Sequence, residues 1–366
     1  MQINSSVSKP PLANWEQHEL EWLNACPICE SRNIQPLHEG MQDYIFAAAG
    51  GKWKLFSCTS CKCAYLNPRP NRETIGRAYS TYYTHGAADS KSKHLSGIRW
   101  LRRALANGYR NRLYGTCLRP SLGQLGSFVS RFSRHFSNSI ETEAAGLAGV
   151  RPKKPGISTI LDIGCGSGLA LCRAREAGWR VMGIEPDPNA ALAATVAGIE
   201  IIAPDLADLP PRFNGTFERI LLNHVIEHVH DPLRMLRRCK DLLVPGGELW
   251  LETPNLTSVG HEKFGIDWRG LEAPRHLVIF ELNSLLLSLK EAGFNEINIS
   301  KPRDVLNYMF ERSGYIKQQR LLHSTDKVLS AQITSSQTLF ELTKRARETT
   351  LKQPNRSEFI TLTASI

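Results

Sequence analysis

The sequence predicts a doubly wound α/β fold, a mostly parallel seven-stranded sheet with helices on both faces, preceded by a small cysteine-held unit and a helical connector. Three observations carry the prediction. From residue 158 onward, apolar runs of strand length alternate with runs of helical period. The first of those strands, STILDIG, feeds a loop with a glycine at every second position: Gly164, Gly166 and Gly168. Ahead of it stand two Cys-x-x-Cys pairs.

In chain order, residues 1–82 hold Cys26-Pro-Ile-Cys29 and Cys58-Thr-Ser-Cys61. Two such knuckles present four thiolates to one tetrahedral ion, so a structural zinc on Cys26, Cys29, Cys58 and Cys61 is expected, a zinc ribbon. A redox pair would need only one knuckle. Cys63 is a spare thiol able to replace Cys61, and NPRP at 67–70 ends the ribbon before a polar helix. Residues 83–155 carry the charge: from 85 to 155 there are thirteen Lys or Arg against three acids, which accounts for the chain's net +10. Leu101, Leu105, Tyr109 and Leu113, then Phe128, Phe132 and Phe136, recur every fourth residue, which predicts two amphipathic helices joined by RPSLGQLGS.

Residues 156–300 form the core. Its strands are STILDIG, WRVMGIE, IEIIAP, FERILLNHV, ELWLET and NEINIS, with helices GLALCRAREAG, NAALAATVAG, DPLRMLRRCKDLL and NSLLLSLKEAGF between them. Residues 301–354 read as a helical insertion and 355–366 (FITLTAS) as the last strand. A composition of 42% hydrophobic and 22% charged residues is that of a soluble globular protein. There is no apolar run of spanning length and no signal-peptide pattern, so a cytoplasmic protein is expected.

The glycine loop excludes two ligands. A dinucleotide fold shows G-x-G-x-x-G, and here the spacing is one residue shorter; a triphosphate loop ends in Gly-Lys-Ser/Thr, and no lysine follows Gly168. Asp162 stands before the loop, where a carboxylate repels phosphate and favours a cation. Glu185, ending the second strand, is placed to accept hydrogen bonds from ribose hydroxyls.

The set D-x-G-x-G-x-G, an acid ending the second strand, Asp205-Leu206 after the third, NHVIEHVHDP after the fourth and LLVPGGELWLETPN around the fifth resembles the class I S-adenosylmethionine-dependent methyltransferases over residues 158–300. That resemblance implies a Rossmann-like core and S-adenosylmethionine as cofactor. It further implies that Gly164, Gly166 and Gly168 approach the methionine moiety, with Asp162 near its ammonium. Glu185 would take the ribose, Asp205 and Leu206 the adenine, and Asn223 and His224 would lie beside the methionine arm. A nicotinamide fold with an aberrant loop, or a core that only binds, are the competing readings.

The acceptor side is carried by two histidines, the usual base near neutral pH. His276 lies in WRGLEAPRHLVIF after the fifth strand and His228 in the Glu-His pair after the fourth. The first stretch is similar to one in methyltransferases of bacterial polysaccharide and lipopolysaccharide clusters and in deoxysugar C-methyltransferases, which also carry a cysteine-ligated zinc unit and tyrosines before the core. This implies a small-molecule or glycan acceptor (nucleotide sugar, lipid-linked sugar or polysaccharide), contacted by Tyr82, Tyr83, Trp268 and Arg275, the last gripping a phosphate or carboxylate. Where those proteins have His-Glu-His this chain has Pro274-Arg275-His276, so an acid partner for the base is missing from the motif. His276 reads equally as a packed structural histidine, and Glu227 as a carboxylate favouring a helix start. The basic segment 85–155 suits a phosphorylated acceptor, an anionic membrane surface or plain solvent. A zinc-ribbon rRNA methyltransferase is the runner-up, although Asn223-His224-Val225-Ile226 stands where base methylators carry Asn/Asp-Pro-Pro-Tyr/Phe. The sequence leaves the oligomeric state open.

Overall fold

The computed structural model describes residues 15–80, 97–300, 303–323 and 336–366. The N-terminal unit contains β1 (Leu20–Glu21), β2 (Ile34–Met41), β3 (Trp53–Cys58), β4 (Ala64–Leu66) and β5 (Arg69–Pro70). The connector follows as α1 (Ile98–Tyr114), α2 (Gly123–Phe132) and α3 (Arg134–Glu141). The core runs β6 (Thr159–Ile163), α4 (Leu169–Glu176), β7 (Arg180–Ile184), α5 (Pro188–Val196), β8 (Glu200–Ala203), β9 (Phe217–Asn223), α6 (Pro232–Leu242) and β10 (Leu243–Pro254). It continues with α7 (Val259–Phe264), β11 (Val278–Ile279), α8 (Leu282–Glu291), β12 (Glu296–Ile299), α9 (Leu306–Leu322), α10 (Ser336–Lys352) and β13 (Phe359–Ser365).

The large sheet has seven strands in the order β12-β13-β10-β9-β6-β7-β8, the mostly parallel, doubly wound arrangement the sequence predicts. Strands β10, β9, β6, β7 and β8 are parallel neighbours; β13 runs antiparallel between β10 and β12. Local signals start its helices. Asp187 accepts from the amide of Asn189 at 2.8 Å ahead of Pro188, and Asp231 from that of Arg234 at 2.9 Å ahead of Pro232. Alternate strand residues face opposite cores. Leu161, Ile163, Leu222 and Leu251 pack with α6 and α8, while Ile160, Val181, Leu221 and Trp250 pack with α4, α5 and the connector.

Two features depart from the expectations. The ribbon is not a unit to itself: β11, from beyond the fifth core strand, pairs with β4 and completes a sheet ordered β11-β4-β3-β2. The amide of Leu66 donates to Leu277 at 3.0 Å, so the stretch carrying His276 is stitched to the cysteine-bearing strands. The described residues of the connector form three helices, not two. Ser133 caps α3 by accepting from the amide of Phe136 at 3.3 Å, which splits the phenylalanine series, and much of RPSLGQLGS is helical in α2. The turn glycines act in packing: a β-carbon on Gly126 would lie 2.2 Å from the carbonyl oxygen of Leu105, and one on Gly108 2.4 Å from that of Leu122. Phe128 and Phe132, with rings 4.8 Å apart, face outward at 57% and 76% exposure. No helix among the described residues is long and apolar enough to cross a membrane.

Candidate active site

The site lies along the C-terminal ends of the parallel strands. After β6 the chain turns through three glycines with φ of 70°, 56° and 78° at Gly164, Gly166 and Gly168, a region that L side chains rarely adopt. A β-carbon on Gly164 would meet Val225 at 2.9 Å, and one on Gly168 would meet Ile199 at the same distance. At Gly166 it would meet nothing within 4 Å, so the middle of the loop faces open space. Glu185, at the end of β7, accepts from the amides of Gly166 at 2.7 Å and Asp187 at 2.9 Å and so braces the loop.

Asp162 lies in β6 with its carboxyl buried. Burial first, and then the charge of Glu185, push it up to about 8. Two buried acids side by side form a poor arrangement by themselves and a good one around a cation. Asp205 caps a short turn by accepting from the amide of Ala207 at 2.8 Å, and Leu206 buries its side chain in the core, leaving its main chain as the part a ligand can reach. Asn223 is exposed at the end of β9, in register with Glu252 of β10, which is in register with Thr361 of β13.

Beside Asn223 the sequence reading missed a charged network. His224 has a φ of 55°, which turns its ring between two carboxylates, Nδ1 3.1 Å from Glu227 and Nε2 3.4 Å from Glu252. Burial works against its charge, but the two carboxylates prevail and raise it to about 9. Glu252 also pairs with Arg303 and accepts from Thr361 at 2.8 Å. Glu227 is fully buried and accepts from Thr253 at 2.9 Å; burial raises it, yet His224 and the neighbouring His228 and His276 hold it at about 2.

The two candidate bases stand together, their rings 4.7 Å apart and edge to face. His228 is half-buried, with Nδ1 3.0 Å from the carbonyl of Arg275 and 2.9 Å from the hydroxyl of Tyr79. His276 is buried, with Nδ1 2.7 Å from the carbonyl of Gly270 and Nε2 3.7 Å from Glu272. Burial and the neighbouring His228 push His276 down to about 4, so its ring is neutral at physiological pH.

Residues 123–299 match the family profile described as a methyltransferase domain. This region is a methyltransferase domain by that profile. Its sequence is similar to the ubiquinone biosynthesis O-methyltransferase of Xanthomonas oryzae pv. oryzae (strain PXO99A), 34% identical over 104 residues that cover 27% of this chain and 44% of that protein. The same-named protein of Xanthomonas axonopodis pv. citri (strain 306) is 33% identical over 110 residues, 28% of this chain and 46% of that one. The matched stretch therefore spans less than half the length of these relatives. Among solved structures, a SAM-dependent methyltransferase from Archaeoglobus fulgidus aligns at a TM-score of 0.39 and 17% identity, covering 65% of this chain and 98% of that one. A putative methyltransferase of Haloferax volcanii, in complex with the activator Trm112, aligns at 0.42 and 16%, covering 66% and 93%.

The methyltransferase domain's loop fits its cofactor. Open space at Gly166 admits a ligand to the backbone, and the acid pair Asp162 and Glu185 suits a molecule that carries a sulfonium and an ammonium but no phosphate. On the acceptor side several expectations need correction. Arg275 grips no acceptor: its guanidinium is wholly buried, bonded to both oxygens of Asp43 at 2.9 Å, to Glu272 at 3.0 Å and to the carbonyl of Ala78. It clamps the ribbon onto the core. Trp268 is buried and donates to Glu358 at 2.7 Å, so it is a packing residue. His224 faces carboxylates with both nitrogens, so its ring belongs to the charged network beside Asn223. The acid missing from Pro274-Arg275-His276 is supplied from elsewhere, by Glu272 four residues before His276 and by Glu227. Glu227 is thus a buried partner of histidines, not a helix-start charge. Tyr82 and Tyr83 lie outside the described residues.

In the ribbon, sulfurs of Cys26, Cys29, Cys58 and Cys61 cluster within 4.8 Å of one another. Cys26 and Cys61 are 3.6 Å apart, as are Cys29 and Cys58. Thiolates sharing a zinc with bonds of about 2.3 Å stand about 3.8 Å apart, so the donor set fits that ion. Cys63 lies 3.4 Å from both Cys26 and Cys61, which makes a fifth sulfur available.

Proposed function

We propose that the chain transfers a methyl group from S-adenosylmethionine to a hydroxyl of a small molecule or glycan seated over the ends of β9 and β10. The observation that carries this is the shared edge: an open glycine loop with two buried acids at one end, and a histidine pair flanked by buried carboxylates at the other. Gly164, Gly166 and Gly168 hold the methionine moiety, Asp162 its ammonium and Glu185 the ribose. Asp205 and the main chain of Leu206 meet the adenine, and Asn223 the methionine arm. The cofactor, when bound, supplies an activated methyl on a sulfonium. The chain's own residues orient the acceptor in line with it and handle the acceptor's proton at His228 and His276. The name of the Xanthomonas relatives supports oxygen as acceptor atom. Zinc on the four cysteines holds the ribbon.

The hairpin of α1 and α2 favours a phosphate-bearing or lipid-linked acceptor at an anionic membrane. From 98 to 133 it carries seven arginines and no acid, with Trp100, Phe128 and Phe132 exposed. Transfer of labelled methyl groups into fractionated extract tests the acceptor. Label in nucleotide-sugar, lipid-linked or polysaccharide fractions is expected; nuclease-sensitive label in RNA would overturn this reading and make the arginines an RNA surface.

A further inference from the structure

The histidine pair has a geometry that proton transfer alone does not require. Each Nδ1 faces a main-chain carbonyl, that of Arg275 at 3.0 Å for His228 and that of Gly270 at 2.7 Å for His276. A carbonyl only accepts, so the Nδ1 of His276 carries the proton and its Nε2 keeps its lone pair; the Nδ1 of His228, which also has the Tyr79 hydroxyl at 2.9 Å, takes the same tautomer when that hydroxyl accepts from it. An Nδ1–H tied to a carbonyl is the support that fixes an imidazole as a metal ligand through its other nitrogen. One nitrogen from each ring and one oxygen of Glu227 lie within 4.8 Å of one another, a separation that a small contraction brings to the spacing of ligands around one ion.

The surroundings agree. Glu227 is fully buried and His276 nearly so, while His228 is half-buried and opens the group to solvent. The Nε2 of His276 lies 3.7 Å from a carboxylate oxygen of Glu272. A lone pair beside an anion is unfavourable, and a cation placed among these groups relieves it. Glu272 is itself held by Arg269 and Arg275, and Glu227 shares its charge with His224. Among the described residues, Glu227, His228 and His276 are the histidine and carboxylate set whose donor atoms come within 4.8 Å of one another.

We propose that Glu227, His228 and His276 bind a divalent cation of the manganese, iron or cobalt kind, with further coordination positions open toward the acceptor. Two imidazoles and one carboxylate with open positions suit these ions. Two adjacent oxygens of the acceptor, as in a catechol or a vicinal sugar diol, fill the open positions. The chemical role rests on the methyltransferase reading; the binding of the ion does not. With His228 and His276 engaged as ligands in place of bases, a hydroxyl on the ion loses its proton to solvent, the oxygen's electron pair forms the bond to the methyl carbon, and the carbon–sulfur bond breaks with its pair remaining on sulfur. The product is the methyl ether and the neutral thioether.

Manganese is the probe, because the thiolate cluster of the ribbon disfavours it and the N/O site accepts it. Titration of the zinc-loaded protein with Mn²⁺, followed by electron paramagnetic resonance, is expected to show one bound ion per chain. His228→Gln is expected to weaken that binding at least tenfold while calorimetry shows unchanged affinity for S-adenosylmethionine. Wild-type protein that binds S-adenosylmethionine but no Mn²⁺ would overturn the proposal, as would a His228→Gln variant that binds Mn²⁺ like wild type. Mn²⁺ bound without any S-adenosylmethionine binding would uphold the ion site and sink the methyltransferase reading. Should His228→Gln fail to fold, the wild-type stoichiometry decides.

Discussion

Glu185→Ala is expected to weaken S-adenosylmethionine binding at least a hundredfold while the core stays folded. The carboxylate does two things at once. It braces the glycine loop through the amides of Gly166 and Asp187, and in the proposed binding mode it also accepts from the ribose hydroxyls. Hydrogen bonds to a charged group contribute about 1.5–3 kcal/mol each, and a hundredfold in affinity is about 2.7 kcal/mol, so losing two or more of them reaches that size. Relief of the repulsion on Asp162 works in the opposite direction on stability, which is why the variant should fold. Calorimetric titration measures the effect, with Glu185→Gln recovering part of it. Binding within threefold of wild type in Glu185→Ala would show that the ligand does not use this end of the loop.

Removal of the zinc proposed for the ribbon is expected to have the second large effect, and its reach comes from the topology. Structural zinc sites bind with apparent free energies of about 10–16 kcal/mol, and the strands these cysteines pin carry Trp53, Leu55 and Leu66 into a core shared with Trp268 and Leu277. Zinc analysis is expected to find one ion per chain, lost in Cys58→Ser. Because β11 belongs to the ribbon's sheet and the carbonyl of Leu277 is bonded to the amide of Leu66, the loss displaces His276. Methyl transfer should then fall far more than cofactor affinity, since the glycine loop follows β6 in the seven-stranded sheet, which pairs with none of the ribbon's strands. Equal losses of both would contradict this account of the stitching. Comparing Cys61→Ser with Cys63→Ser tells which of the two neighbouring sulfurs serves as the fourth ligand.

The glycine loop and its bracing acid were legible in the sequence because their signals are local. Three glycines in a five-residue loop need positive φ, and acids placed one strand apart need no long-range partner to be recognised. The acceptor end was not, because its meaning lies in contacts far apart in the chain. Arg275 looks like an anion-gripping residue until Asp43, 232 positions away, takes both ends of its guanidinium. Glu252 and Arg303 carry no motif, yet Glu252 meets His224 across the strand ends and Arg303 pairs with Glu252. Glu272 was within reach of sequence reasoning, since four residues before His276 is helical spacing; the absence of His-Glu-His drew attention to the wrong neighbour. The pairing of β11 with β4 had no signal in a two-residue strand.

The measurement that tests the account most directly is titration of the protein with S-adenosylmethionine at several pH values, in buffers that differ in ionisation enthalpy. Before binding, Asp162 holds its proton up to about pH 8; a cation beside it favours the ionised form, so binding below that pH expels the proton. Affinity should therefore rise with pH toward 8 and level off above it. Close to one proton should be released per ligand near pH 7, and Asp162→Asn should abolish that release. Absence of binding, or binding that is flat in pH and releases no proton in the wild-type protein, would contradict the claim that this loop cradles the cationic arm of the cofactor.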